Sequence, residues 1–111
     1  MTPRLTSDFW VRAYLMRLEQ AGIPAFVTAK GDATAGAVLV KVSTLDGQAM
    51  AYQRSFDLMS DARVWGVLSA GNEHDVDASI TRQRKFDPDL WVVEVEDRHG
   101  RSLLNEPGLS E

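Results

Sequence analysis

With 111 residues and a mass of 12.3 kDa the chain has room for one compact core, and dividing it would leave neither half enough interior. Its composition, 44% hydrophobic and 25% charged, is globular, and a net charge of −4 opposes a whole-molecule attraction to nucleic acid or anionic lipid. The lack of cysteine excludes disulfides, thiolate metal sites and cysteine nucleophiles and fits a reducing cytoplasm, while no run approaches the ~18 apolar residues of a membrane span.

In chain order, Thr6 or Ser7 opens a helix from about Ser7 to Ala21, with Asp8 in its positive first turn and Gly22 and Pro24 at its end. Its apolar girth, from Phe9 through Leu18, is wider than one sheet face demands, so the helix is either central or meets a partner. Ala25 to Lys30 and Ala37 to Ser43 read as strands flanking the small-residue loop Gly31 to Gly36, taken as a flexible hairpin connection. Val38, Val40 and Val42 alternate with Leu39 and Lys41, suggesting one buried and one half-exposed face. Leu45-Asp46-Gly47 is a hairpin turn into a third strand, Gln48 to Ser55.

Phe56 to Ala62 reads as an irregular connector, and Arg63 to Leu68 as a short strand, although its length hardly separates strand from helical turn. Asn72 then caps a second helix, about Glu73 to Phe86, which Asp87-Pro88 stops. Leu90 to Glu96 is the clearest strand, with Trp91, Val93 and Val95 on one face; Arg101 to Leu104 suggests a brief edge strand, and 105–111 a frayed tail. The expected architecture is α+β: a mainly antiparallel sheet of four to five strands with two helices packed on one face. Trp10, Leu15, Leu18, Val38, Val40, Tyr52, Trp91, Val93 and Val95 are its expected core.

No nucleophile elbow, phosphate loop or dinucleotide fingerprint is present. His74 and His99 have no metal-ligand spacing, and no metal or cofactor is expected. The basic group Arg82 to Lys85 with Phe86 suggests a nucleic-acid reader, but acids at the start of the same helix and bases at its end are what the helix dipole favours. Glu94 and Glu96 share a strand face, where Lys41 or Arg54 would be an ordinary cross-strand charge partner. Lys30, Asp32, Arg54, Arg82 and Arg84 would make a small-anion or phosphorylated-ligand site if the fold brings the Gly31–Gly36 loop to the end of the second helix.

Three blocks, Pro3 to Val11, Gly31 to Val42 and Arg82 to Asp97, resemble in the same order a family of short bacterial proteins catalogued as domain of unknown function 1491. Lys85 departs from the pattern, where arginine is as readily expected. The resemblance covers nearly the whole chain and implies one cytoplasmic bacterial domain, with no activity, ligand or catalytic residue to carry over. The expected role is a non-catalytic interaction or assembly module, partnered by itself or by another protein and not by nucleic acid or membrane; the anion site is the alternative.

Overall fold

The structure, a computed structural model, describes residues 5–57 and 62–109. Thr6 opens α1 (Ser7–Gln20) by accepting a hydrogen bond from the Phe9 amide at 3.3 Å, and Gly22, at φ 74°, leads the chain out of it. Then come β1 (Ala25–Ala29), β2 (Val38–Ser43), β3 (Gln48–Asp57), β4 (Ala62–Asn72), α2 (Glu73–Phe86) and β5 (Trp91–Glu96). Arg63 to Leu68 is therefore strand, inside β4. The expected connector Phe56 to Ala62 begins and ends in strand, and its residues 58–61 lie outside the described residues.

The strands form one sheet in the order β1-β5-β2-β3-β4, antiparallel throughout except for the parallel pair β2 and β5. The α+β, mainly antiparallel architecture stands. The hairpin between β2 and β3 turns through Leu45 at φ 63° and Gly47 at φ 86°, with the Asp46 carboxylate accepting from the Thr44 hydroxyl and the Gln48 amide. β5 inserts between β1 and β2, so the Gly31–Gly36 loop is not a hairpin connection. It crosses over the start of β5.

That insertion decides where the core lies. All six residues of β2 are buried, against the expectation of a half-exposed face, because β2 has a strand on either side and a helix over each face. α1 packs on the face of Val38, Val40, Val42, Trp91, Val93 and Val95, whereas α2 packs on the face of Leu39, Ala51 and Val92. The helices thus lie on opposite faces rather than sharing one. Val38–Val42 and Leu90–Val93 offer apolar side chains to both faces, and one face cannot be covered by a helix on the other. Seven of the nine expected core residues are fully buried, and Leu15 and Tyr52 sit at the margin.

The chain after β5 forms no strand at Arg101 to Leu104. Of the expected frayed tail, 110 and 111 lie outside the described residues, and 105–109 are packed: Leu104 and Leu109 are buried against α1 and β4, the Tyr14 hydroxyl donates to the Ser102 carbonyl at 2.8 Å, and Trp65 Nε1 donates to the Leu109 carbonyl at 3.1 Å. Arg17 grips the Glu106 carboxylate with Nε and Nη2, at 2.9 and 3.0 Å. Polarity alone suggested fraying there, but two leucines and one glutamate suffice to dock the segment.

Candidate functional site

The loop after β1 and the end of α2 meet, as the composite site requires. Arg84 donates from Nη2 to the Lys30 carbonyl at 2.8 Å and from Nε to the Leu90 carbonyl at 3.0 Å, so the loop and the entry to β5 share one guanidinium. Asp32 folds the loop back on itself by accepting from the amides of Thr34 and Ala35, while its own carbonyl receives Trp91 Nε1 at 2.7 Å. A Cβ added at Gly31 or Gly36 would collide with the Asp89 carbonyl oxygen, so close backbone approach accounts for both glycines. Ser7 ties the loop to α1 through its hydroxyl on the Gly36 carbonyl.

Not all five residues of the expected anion site converge. Lys30 and Arg84 meet on the α2 side, and Asp32 lies at the entry to β5, its carbonyl bonded to the Trp91 indole of the α1 face. Arg54 lies on the α1 face, its guanidinium 5.1 Å from the Trp10 ring centroid and 5.2 Å from that of Trp65, a cation set over two adjoining aromatic rings. Arg82 is exposed and two positions from Arg84 on α2, a spacing that does not share a helix face. The bonds that hold Arg84 and Asp32 are to backbone, the work of a clasp around the start of β5.

The second charged cluster surrounds Lys41, whose side chain is only 5% exposed beneath α2. Its Nζ lies 2.9 Å from Glu73 Oε1, 2.7 Å from Asp77 Oδ1 and 3.2 Å from Glu94 Oε1. Of the two cross-strand partners considered for Glu94, Lys41 is therefore the one that meets it. Burial pulls the ammonium pKa down, but hydrogen bonds with Asp77 and Glu73, then the charge and hydrogen bond of Glu94, outweigh it, and the net shift is upward. An ammonium so held stays charged at neutral pH and is neither base nor nucleophile. Asp97, just past β5, binds Arg101 through both carboxylate oxygens, and that hydrogen bonding, against a smaller effect of burial, lowers its pKa to about 2.

His74 and His99 are both exposed, and among the described residues no group of metal-ligating side chains is arranged to hold an ion. Nor is any helix of those residues long and apolar enough to cross a membrane. An open groove of about 230 Å³ runs along the sheet past Val42, Met50, Tyr52 and Ala70, with Thr44 and Gly100 at one end. The remaining distinctive surface is apolar. On α1, Phe9 and Met16 are 53% and 61% exposed, seven residues apart and so on one side of the helix, with Leu5, 56% exposed, just ahead of them. Both sheet edges, β1 and β4, also carry exposed apolar side chains. The girth of α1 pointed to its surface row, but nothing in the sequence pointed to the edges, because strand order is not a local property.

Comparison with known proteins agrees with this architecture. A crystal structure of a DUF1491 family protein from Caulobacter crescentus is 44% identical over 93% of this chain and 95% of that one, with a TM-score of 0.80. An NMR structure of a DUF1491 family protein from the same organism gives 42% identity over 96% and 97%, with a TM-score of 0.83. The solution structure of A. tumefaciens protein Atu0922 gives 34% identity over 85% and 86%, with a TM-score of 0.72. No curated protein matches the sequence. The model of a protein family of unknown function, DUF1491, matches residues 5–105, and this chain belongs to that family.

Proposed function

We propose that this chain is a small cytoplasmic, non-catalytic interaction module that works by docking protein surfaces, including its own. The observation that carries the reading is apolar surface on the outer side of α1: Phe9 and Met16, with Leu5 just ahead of the helix, stand in solvent although the helix already buries Trp10, Val11, Tyr14 and Leu18 on its inner side. Polar chemistry supports it from the other direction, since Lys41, Arg84, Asp32 and Asp97 each hold backbone or an opposite charge. A cytoplasmic setting is supported by the absence of cysteine.

The anion-site reading keeps Lys30 and Arg82 as exposed cations, but Arg54 and Arg84 lie on opposite sides of the sheet and cannot clamp one ligand. Light scattering on the purified protein, with capture of partners from its own cell extract, tests the docking reading. Phe9→Asp combined with Met16→Asp should abolish capture through α1 while leaving the circular dichroism spectrum intact. A strict monomer that captures nothing overturns the reading.

A further inference from the structure

We propose that β4 is a self-association edge, pairing antiparallel with β4 of a second copy about a two-fold axis so that two five-stranded sheets join. The proposal rests on the docking reading above and names its partner. The two edges of the sheet differ in how they are guarded. β1 is five residues long and follows Pro24, two features that blunt an edge beyond the register shift that each edge strand carries. β4 runs eleven residues without proline, and from Val64 to Asn72 it carries no charged side chain; its one irregularity is the unpaired Leu68.

What fits such an edge is another strand, because its outward row of backbone donors and acceptors matches only extended chain. The side chains point the same way. Val64 and Val67 are 41% and 58% exposed, and the register puts them on opposite faces, Val64 across from Ser55 and Val67 across from Tyr52. A helix or loop laid on the sheet would cover one of them; a strand alongside covers both. The row is uncharged from Val64 to Asn72, so a second copy meets it with no like charges opposed.

From Val64 to Val67, before the unpaired Leu68, alternation is regular, and it requires an axis at a residue rather than between two. Residues opposed across an antiparallel pair share a face, so an axis at Gly66 sets Trp65 against Val67 of the second copy on the α1 face, an aromatic against a β-branched side chain. Gly66 has open space where a Cβ would stand, so a side chain there is tolerated in the single chain and felt only in the pair.

The test is light scattering of the whole chain over a concentration series, with amide exchange, on the natural sequence and on Val67→Lys and Gly66→Lys. The natural chain should approach twice 12.3 kDa as concentration rises, with amides of 64–67 gaining protection. Gly66→Lys opposes two ammonium groups at the axis and Val67→Lys sets an ammonium where Trp65 of the second copy packs; both should keep the circular dichroism spectrum and raise the dimer dissociation constant roughly 100-fold. A dimer broken by the paired Phe9→Asp and Met16→Asp changes but not by the β4 variants overturns this proposal and leaves the docking reading standing, as does a monomer that captures another protein through α1. A monomer at every concentration that captures nothing overturns both.

Discussion

On the α1 face, Trp10, Tyr14, Trp91 and the valines of β2 and β5 make an apolar layer closed over by Leu104 and Leu109, whereas on the α2 face a smaller layer of Leu39, Val76, Ile80, Leu90 and Val92 lies beside a lysine ringed by three carboxylates. The same strands supply both, since alternate residues point to opposite sides. α1 buries five residues and is held chiefly by removal of apolar surface from water. α2 buries only Val76 and Ile80, and its position is fixed in addition by charge. One sheet thus carries two attachments that should answer differently to cavities, charge and pH.

The largest break is expected on the apolar side. Trp91→Ala removes a buried ring and the hydrogen bond to the Asp32 carbonyl, and should cost about 3–5 kcal/mol, enough to unfold much of the population in a urea titration. On the charged side, Lys41→Met leaves three carboxylates facing one another without their cation. Because those carboxylates keep partial access to water, the cost in thermal unfolding should be smaller, about 2 kcal/mol.

Alkaline pH sharpens the contrast, because each face has one group that responds. Lys41 has its pKa raised in the folded state, so its contribution is complete below the ordinary lysine value and is lost as pH climbs past about 10. Burial, with a lesser effect of Tyr52, raises the Tyr14 pKa, and the sign is the same: the unfolded chain ionises first and gains as pH rises. Thermal melts from neutral pH to 11 should show Tyr14→Phe and Lys41→Met each removing part of the alkaline decline; Tyr14→Phe itself should cost about 1 kcal/mol at neutral pH through the lost bond to Ser102. If neither variant flattens the decline, the two attachments are not what titrates.

The smallest expected effect lies at the turn after β5. With its pKa depressed by Arg101, the Asp97 carboxylate contributes stability above the ordinary carboxylate range that is lost as pH falls from about 4 to about 2. Asp97→Asn should lower the acid sensitivity of unfolding and, at neutral pH, cost no more than about 1 kcal/mol.

Much of this was legible along the chain. Both helices and the β2–β3 turn follow from local signals: Thr6 and Asn72 at helix starts, Gly22 at an end, Asp46-Gly47 between strands. The β4 assignment also held, although its central run was short enough to leave helical turn open. Of the candidate site, the approach of the loop to the end of α2 was legible only as a condition and the place of Arg54 not at all, because which face a strand residue occupies relative to a distant helix depends on strand order. A clue lay unread in Val38–Val42 and Leu90–Val93, apolar on both faces and so suited to strands covered from both sides.

The amino-acid sequence by itself determined both helices, their caps, the β2–β3 turn and most of the residues that avoid water, because hydrogen-bond capping and side-chain periodicity act over a few residues. Only the tertiary structure decided that β5 enters between β1 and β2, that the helices cover opposite faces, that Lys41 meets three carboxylates and that β4 remains at an edge. Those outcomes depend on which distant segments pair, and pairing is settled by burial on two faces at once rather than by any local preference.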